Sequence, residues 1–298
     1  MSPELKTSLL LDTDIGDDVD DILALAFALA HPELELLGIT TVFRNTQARA
    51  QMAKYLLRLA GRENIPVHAG VGQPLKNALD VVQTPHLFGS EMEGIEIDTL
   101  GAVEFLCSVL EKQRAHLVCI GPLTNIATLI EKRPDVLTNV DSLIMMGGSY
   151  YRHANEWNIV CDPEAAHIVF NSGLNINAFG LDVTAPCEID PGKMEKAGDH
   201  NPMQEYLLEM CRRWKTHSGF SPILHDPLTI YSMLKRSDIH YQSEMIHIEL
   251  QGEHTRGMTV CEDHRIWGRV APAPNIQVAA DFDRPRFIEY FLATVFGD

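Results

Sequence analysis

The chain has 298 residues, 45% of them hydrophobic and 22% charged, a balance that lets a soluble chain bury a full core. A formal net charge of −17 repels polyanions, so nucleic acid polymers are excluded as partners, while small neutral molecules and divalent cations are not. No apolar run reaches the roughly 18 residues of a membrane span. The first residues lack the basic-then-apolar pattern of a signal peptide, and six scattered cysteines without a CxxC pair read as reduced thiols, so a cytoplasmic protein is expected.

In chain order, the spacing predicts a strand at residues 8–11, a helix at 20–30, a strand at 34–42 and a helix at 46–60. Strands follow at 65–68 and 116–120, with a helix at 103–112 between them. A helix at 122–132, a strand at 142–146, a helix at 163–171 and a strand at 176–181 continue the rhythm. Strands that alternate with helices and are apolar throughout (LLL, LVCI, LIMM) predict an α/β fold with an open, mostly parallel sheet covered on both faces. Beyond residue 185 the rhythm changes. Pro186, Pro191, Gly192 and Gly198 mark a long connection, then helices are expected at 202–217 and 227–234. Strands at 244–250, 256–262 and 275–281 read as antiparallel candidates, and a last helix spans 284–296. There is no internal repeat or composition break, so residues 1–298 are expected to form a single domain.

Ligands of open α/β sheets bind beyond the carboxyl ends of the strands. The residues just after the first strand are Asp12, Asp14, Asp17, Asp18, Asp20 and Asp21, six carboxylates within ten positions. Carboxylates this close must share protons or hold a cation. Oxygen-only ligands suit a hard ion such as calcium or magnesium. Helix-start chemistry alone accounts for Asp18, Asp20 and Asp21. It does not account for Asp12 and Asp14. An EF-hand is disfavoured, because Leu23 stands where its twelfth-position Glu belongs.

The segment Asp12-Thr13-Asp14-Ile15-Gly16, followed by Asp20-Asp21 at a helix start, resembles the N-terminal signature of the inosine-uridine nucleoside hydrolase family. Family members carry one residue between the Gly and the Asp pair, and this chain carries three. Asp18 is thus an alternative to Asp20 or Asp21. Four further segments are similar to the family in the same order. They are Gly38 to Val42 with Asn45 after it, Ile120-Gly121-Pro122, Glu156-Trp157-Asn158 ahead of Asp162-Pro163-Glu164, and His225-Asp226-Pro227. The loop before Glu156 is shorter than in the family, and Asn155 is the nearest substitute for an Asn found there. His86 lies in a loop where members often carry a His near the base, although a surface His is the simpler reading.

The resemblance implies hydrolysis of the N-glycosidic bond of ribonucleosides to ribose and free base. It implies calcium (Ca2+) bound by Asp14, Asp21, Asp226 and the main-chain carbonyl of Ile120, holding a water that Asp14 activates as general base. Asp20, Asn45, Glu156 and Asn158 would grip ribose hydroxyls. His225 would protonate the leaving base, because an imidazole changes charge near neutral pH. Members often form dimers or tetramers, so a homo-oligomer is expected. The competing enzymatic reading is a magnesium-dependent phosphohydrolase of the haloacid-dehalogenase type with Asp12 as nucleophile. That type has Gly-Thr after the Asp pair, where this chain has Ile15-Gly16. A non-catalytic pentose or calcium binder on the same scaffold is the third reading. Base preference has no recognisable signature.

Overall fold

The protein is described here by a computed structural model, which covers residues 6–80, 82–195, 200–262 and 273–297. Its strands are β1 (Thr7–Thr13), β2 (Leu34–Thr41), β3 (Val67–Ala69), β4 (Ala115–Cys119), β5 (Val140–Met146), β6 (Ile176–Phe179), β7 (Ile239–Glu244), β8 (Ile246–Ile248), β9 (Thr259–Cys261) and β10 (Ile276–Phe282). Its α-helices are α1 (Asp20–Ala30), α2 (Thr46–Leu59), α3 (Ala102–Leu110), α4 (Thr124–Lys132), α5 (Trp157–Cys161), α6 (Pro163–Phe170), α7 (Leu181–Thr184), α8 (Pro191–Glu195), α9 (Pro202–Ser218), α10 (Pro227–Leu234) and α11 (Arg284–Phe296).

Eight strands form one sheet in the order β3-β2-β1-β4-β5-β6-β10-β7. Every neighbouring pair is parallel except β10 with β7, at the far edge. The late strands were expected to be antiparallel. Only part of that holds: β10 runs parallel to β6, and β8 with β9 makes a separate antiparallel pair. The strand at 244–250 divides into the end of β7 and β8, and α8 forms inside the long connection. Gly198, expected to mark that connection, lies outside the described residues.

Why the central strands are apolar throughout follows from what covers them. Leu9 and Leu11 of β1 point into a core built with α1, α2, α9, α10 and α11, while Leu10 points into a second core with α3, α4 and α6. All three leucines are buried, and burying each contributes about 2 kcal/mol. A half-polar strand would lose one of these two cores.

Chain order reverses about β1, with β2 on one side and β4 on the other. A crevice therefore opens at the carboxyl ends of β1 and β4. The acidic residues following β1, and Ile120 following β4, lie at this crevice. Among the described residues no helix is long and apolar enough to cross a membrane.

Candidate active site and acidic cation site

β1 ends in polar residues that the fold buries. Asp12 and Thr13 are its last two residues, Asp14 follows, and Asp20 and Asp21 open α1, where negative charge suits a helix N-terminus. All of these side chains are buried. The turn between them needs Gly16, with φ of +114°, where a Cβ would lie 2.5 Å from the sulfur of Met52. Gly121 serves a second close approach. A Cβ there would stand 2.8 Å from both the backbone nitrogen and Oδ1 of Asp14, so the Ile120-Gly121 turn can pack against the acid.

Asp14, Asp17, Asp18, Asp20 and Asp21 line one cavity of about 370 Å3 with Ile120, Glu156, Asn158, His225 and Asp226. Residues more than 200 positions apart thus meet at one point. Asp20, Asp21 and Asp226 offer carboxylate oxygens that all lie within 4.8 Å of one another. Asp14 lines the same cavity, and its charge pushes up the pKa of each of the three. The tightest acidic group therefore includes Asp20, which was expected only on the sugar. Asp18 lines the cavity outside that triplet.

Burial dominates the electrostatics. It raises Asp20, Asp21 and Asp226 well above the usual carboxylate range, with mutual repulsion adding to the effect. Burial also pushes Asp14 and Asp18 up to about 6, and Asp12 and Glu156 up to about 7. This is an all-oxygen donor set whose negative charge Arg49 offsets only in part. It fits a hard divalent cation in the triplet and offers none of the His or Cys ligands that zinc favours.

Sequence reasoning missed the buried cation that holds this loop together. Arg49 of α2 is fully buried. Its Nη1 donates to the main-chain carbonyls of Asp14 and Ile15, its Nε to that of Phe43 (2.8 Å), and its Nη2 to the Asp17 carboxylate (2.7 Å). At least four hydrogen bonds from Arg49 tie the ends of β1 and β2 together, and its charge offsets Asp14 and Asp21 only in part. The available signal was an Arg among Ala48, Ala50, Met52 and Ala53 on a helix that otherwise packs by its small residues.

The other expected residues divide. Glu156 caps α5: Oε1 accepts from the Asn158 amide (2.8 Å), and Oε2 accepts from the amides of Gly148 (2.9 Å) and Ile159 (3.1 Å). Asn158 donates from Nδ2 to the carbonyls of Ile120 (3.2 Å) and Met146 (3.1 Å), which fixes the Ile120 carbonyl at the cavity wall. Asn45 stands outside the lining. Its Oδ1 accepts from the Ala48 amide (3.1 Å) as the cap of α2, and its Nδ2 donates to Thr84 (3.3 Å). Phe43 and Arg44 before it adopt φ of 67° and 57°, a strained pair whose amides donate hydrogen bonds to the carbonyls of Val71 and Gly72.

His225 corrects its expected chemistry. Burial pushes its pKa down to about 4, so the ring is uncharged at neutral pH instead of titrating there. Asp12 is not in the cavity lining. Its Oδ1 accepts from Thr40 (2.5 Å) and Asn125 (2.7 Å), which ties it to the neighbouring strand and to α4 and removes it as a nucleophile.

A second cavity, of about 410 Å3, adjoins the first through Asp17, Trp157 and Trp214. Arg44, Gln83, His86, His217 and Ser218 complete it. His86, read as a surface residue, is exposed but packs against His217 with ring centroids 4.3 Å apart.

Residues 9–289 match the family of inosine-uridine preferring nucleoside hydrolases. The pyrimidine-specific ribonucleoside hydrolase RihA of Salmonella paratyphi B is 33% identical, over 94% of this chain and 96% of that protein. Its counterpart from Photobacterium profundum is 34% identical over 96% and 97%. A solved plant nucleoside hydrolase superposes with a TM-score of 0.87 at 25% identity, covering 98% of this chain and 99% of that one. A purine-preferring ribonucleoside hydrolase from Gardnerella vaginalis gives 0.82 at 26%, with 98% of each chain covered. The eight-stranded sheet and its flanking helices are those of a nucleoside hydrolase, and the chain belongs to the inosine-uridine preferring nucleoside hydrolase family.

Proposed function

We propose that the protein hydrolyses ribonucleosides to ribose and free base with calcium as its cofactor, in one catalytic domain that spans the chain. The observation that carries this reading is the convergence of Asp14, Asp20, Asp21 and Asp226 on one cavity with Glu156 and Asn158. Asp14, Asp21, Asp226 and the Ile120 carbonyl would hold the ion, with Asp20 close enough to share it. Calcium there would lower the pKa of a water and polarise ribose hydroxyls.

The chain's own groups do the rest. Asp14, held by burial near a pKa of 6, accepts a proton from the attacking water. The water's oxygen bonds to C1′ as the C1′–N bond breaks with its electron pair passing to the base; the base takes up one proton from solvent, and Asp14 returns its proton to solvent. Positive charge builds on the sugar in that transition state, as in other glycoside hydrolysis. The surrounding carboxylates favour it, and they are fixed before substrate arrives. Asp20, Glu156 and Asn158 would grip the ribose hydroxyls. Asn45 would join them by exchanging its long bond to Thr84 for a sugar contact. The relatives named above differ in their bases, pyrimidines for one and purines for another, so the substrate proposed here is a ribonucleoside of either class.

The test is a panel of uridine, cytidine, inosine, guanosine and adenosine, each with calcium and with a chelator, read as reducing sugar. Release of ribose that the chelator stops is expected. No release from any nucleoside would refute the hydrolase reading, and release indifferent to the chelator would refute the calcium part. A cytoplasmic homo-oligomer accompanies this proposal, checked by light scattering of the purified protein and by cell fractionation.

A further inference from the structure

The second cavity is room beyond what the acidic one supplies. The acidic cavity alone, at about 370 Å3, falls in the range that holds a small molecule, and the second adds about 410 Å3 beside it. The two are opposite in charge. Carboxylates dominate the lining of the first, whereas the second has Asp17 alone against Arg44, His86 and His217. In a chain of net charge −17 such a lining is a local exception. Asp17 does not cancel Arg44. Its Oδ2 lies 2.7 Å from Nη2 of the buried Arg49 and 3.5 Å from Nη1 of Arg44, so one carboxylate faces two guanidinium groups. Arg44 sits over the rings of Phe43 (5.1 Å) and Trp157 (5.6 Å), contacts that hold it and use none of its five N–H donors. It keeps this place at the cost of a left-handed φ of 57°. Among the described residues the Arg44 guanidinium makes no hydrogen bond, and neither do the side chains of Gln83, His86 and His217, each with an N–H to give.

We infer that the second cavity is a subsite for a negatively charged group carried by the nucleoside, with Arg44 as its ligand. A planar guanidinium with unspent donors suits a carboxylate or a phosphate, which it can meet through two parallel hydrogen bonds. Two kinds of substrate carry that chemistry, a nucleoside with a carboxylate on its base and a nucleoside with a phosphate on its 5′ oxygen. That the anion arrives on a substrate rests on the nucleoside hydrolase reading. The anion site itself does not.

The test measures kcat/KM of the calcium-loaded protein for neutral and anionic partners. Uridine is compared with 5-carboxymethyluridine and uridine 5′-monophosphate, and inosine with inosine 5′-monophosphate. At least one anionic probe should be cleaved. Arg44→Gln should lower the ratio of its kcat/KM to that of its neutral partner by about 10- to 100-fold, the worth of a charge-assisted hydrogen bond. Arg44→Lys keeps the charge without the fork and should keep part of the ratio. The probe whose ratio moves shows where the charge is carried, on the base or on the ribose. Ratios that Arg44→Gln leaves in place overturn the inference, even if all substrates lose rate alike, because Arg44 is then only a brace for Asp17. Cleavage of the neutral nucleosides alone also overturns it. If no probe is cleaved at all, the hydrolase reading fails, and calorimetry of the same probes on the calcium-loaded protein still decides the anion site. Tighter binding of an anionic probe than of its neutral partner, lost in Arg44→Gln, is expected there, and equal binding overturns the inference.

Discussion

The floor and the rim of the cavity are built in opposite ways. At the floor, Asp14, Asp20, Asp21 and Asp226 are buried, attached to strand and helix ends, and braced by a buried arginine that makes at least four bonds. At the rim, Trp157 is 53% exposed, and Gln83, His86 and His217 sit on an exposed loop and the exposed end of α9. The floor holds costly charges in fixed positions, which is what chemistry at one atom requires. The rim holds side chains with few fixed partners, which suits a partner that differs from one nucleoside to the next. If that division is right, damage to the floor should remove turnover, and damage to the rim should redistribute it among substrates.

The largest effect is expected from Asp14→Asn. The amide keeps the shape but cannot take the water's proton, so kcat should fall by about a thousandfold or more. The melting temperature should stay level or rise, because a buried charge is removed from a repelling group. Activity and thermal unfolding of the same preparation check this. A variant that keeps most of its turnover would take the base role away from Asp14.

The next prediction concerns the ion and pH. Burial raises Asp12, Asp14, Asp18 and Glu156 to between about 6 and about 7 in the folded chain. Each binds its proton more tightly folded than unfolded. Their stabilising contribution is full below about pH 4 and is lost as pH rises through 6 to 7. His225, depressed to about 4, works in the opposite sense, losing its contribution as pH falls from about 6.5 towards 4. Four carboxylates outweigh one imidazole, so the metal-free protein should melt at a higher temperature at pH 5 than at pH 8. A cation that binds the ionised acids reverses the penalty. The rise in melting temperature on adding calcium should therefore be larger at pH 8 than at pH 5, by scanning calorimetry at both. Equal shifts would mean that the acids do not hold the ion.

Between floor and rim stands Asn158, whose amide bridges the Ile120 and Met146 carbonyls. Asn158→Ala removes two buried bonds and, on the proposed reading, one sugar contact. A loss of about 5- to 30-fold in kcat/KM is expected, at about 1–2 kcal/mol for the substrate contact. A change confined to the melting temperature would make Asn158 a structural brace only.

The same division explains what could be read from the sequence. The floor was legible because its chemistry demands particular residues at strand ends: acids after β1, a Gly-Pro turn after β4, Asp before α10. Each breaks the apolar run that precedes it. The boundaries of α1 and α11 were legible for a related reason, since both start at charged or Pro-containing turns beside long apolar stripes. Arg49 was not legible, because an arginine on a helix is solvated by default and only the tertiary fold buries it. β7 was missed because Ile239-His240-Tyr241-Gln242-Ser243-Glu244 is polar and half exposed at the sheet edge, where no second core demands a continuous apolar run. The short helix α5 was missed because its cap is Glu156, a residue already given to the sugar. The neutral state of His225 depends on burial that its own segment does not encode.

The smallest expected effect is at the rim, and it is the most informative about division of labour. Trp214 borders both cavities, and His217, one helical turn on, packs its ring at a tilt against His86. His217 lines the second cavity and not the one that holds the acidic triplet, so His217→Ala should leave kcat within a few-fold and change KM by up to about tenfold, the range of a single aromatic or hydrogen-bond contact. That change should differ between uridine and inosine, because a two-ring base is longer than a one-ring base and would extend further towards the second cavity. Measuring kcat and KM for both substrates in the variant decides the point. Equal losses in both, appearing in kcat, would mean that the His86–His217 pair acts on the floor itself and that rim and floor are not separable.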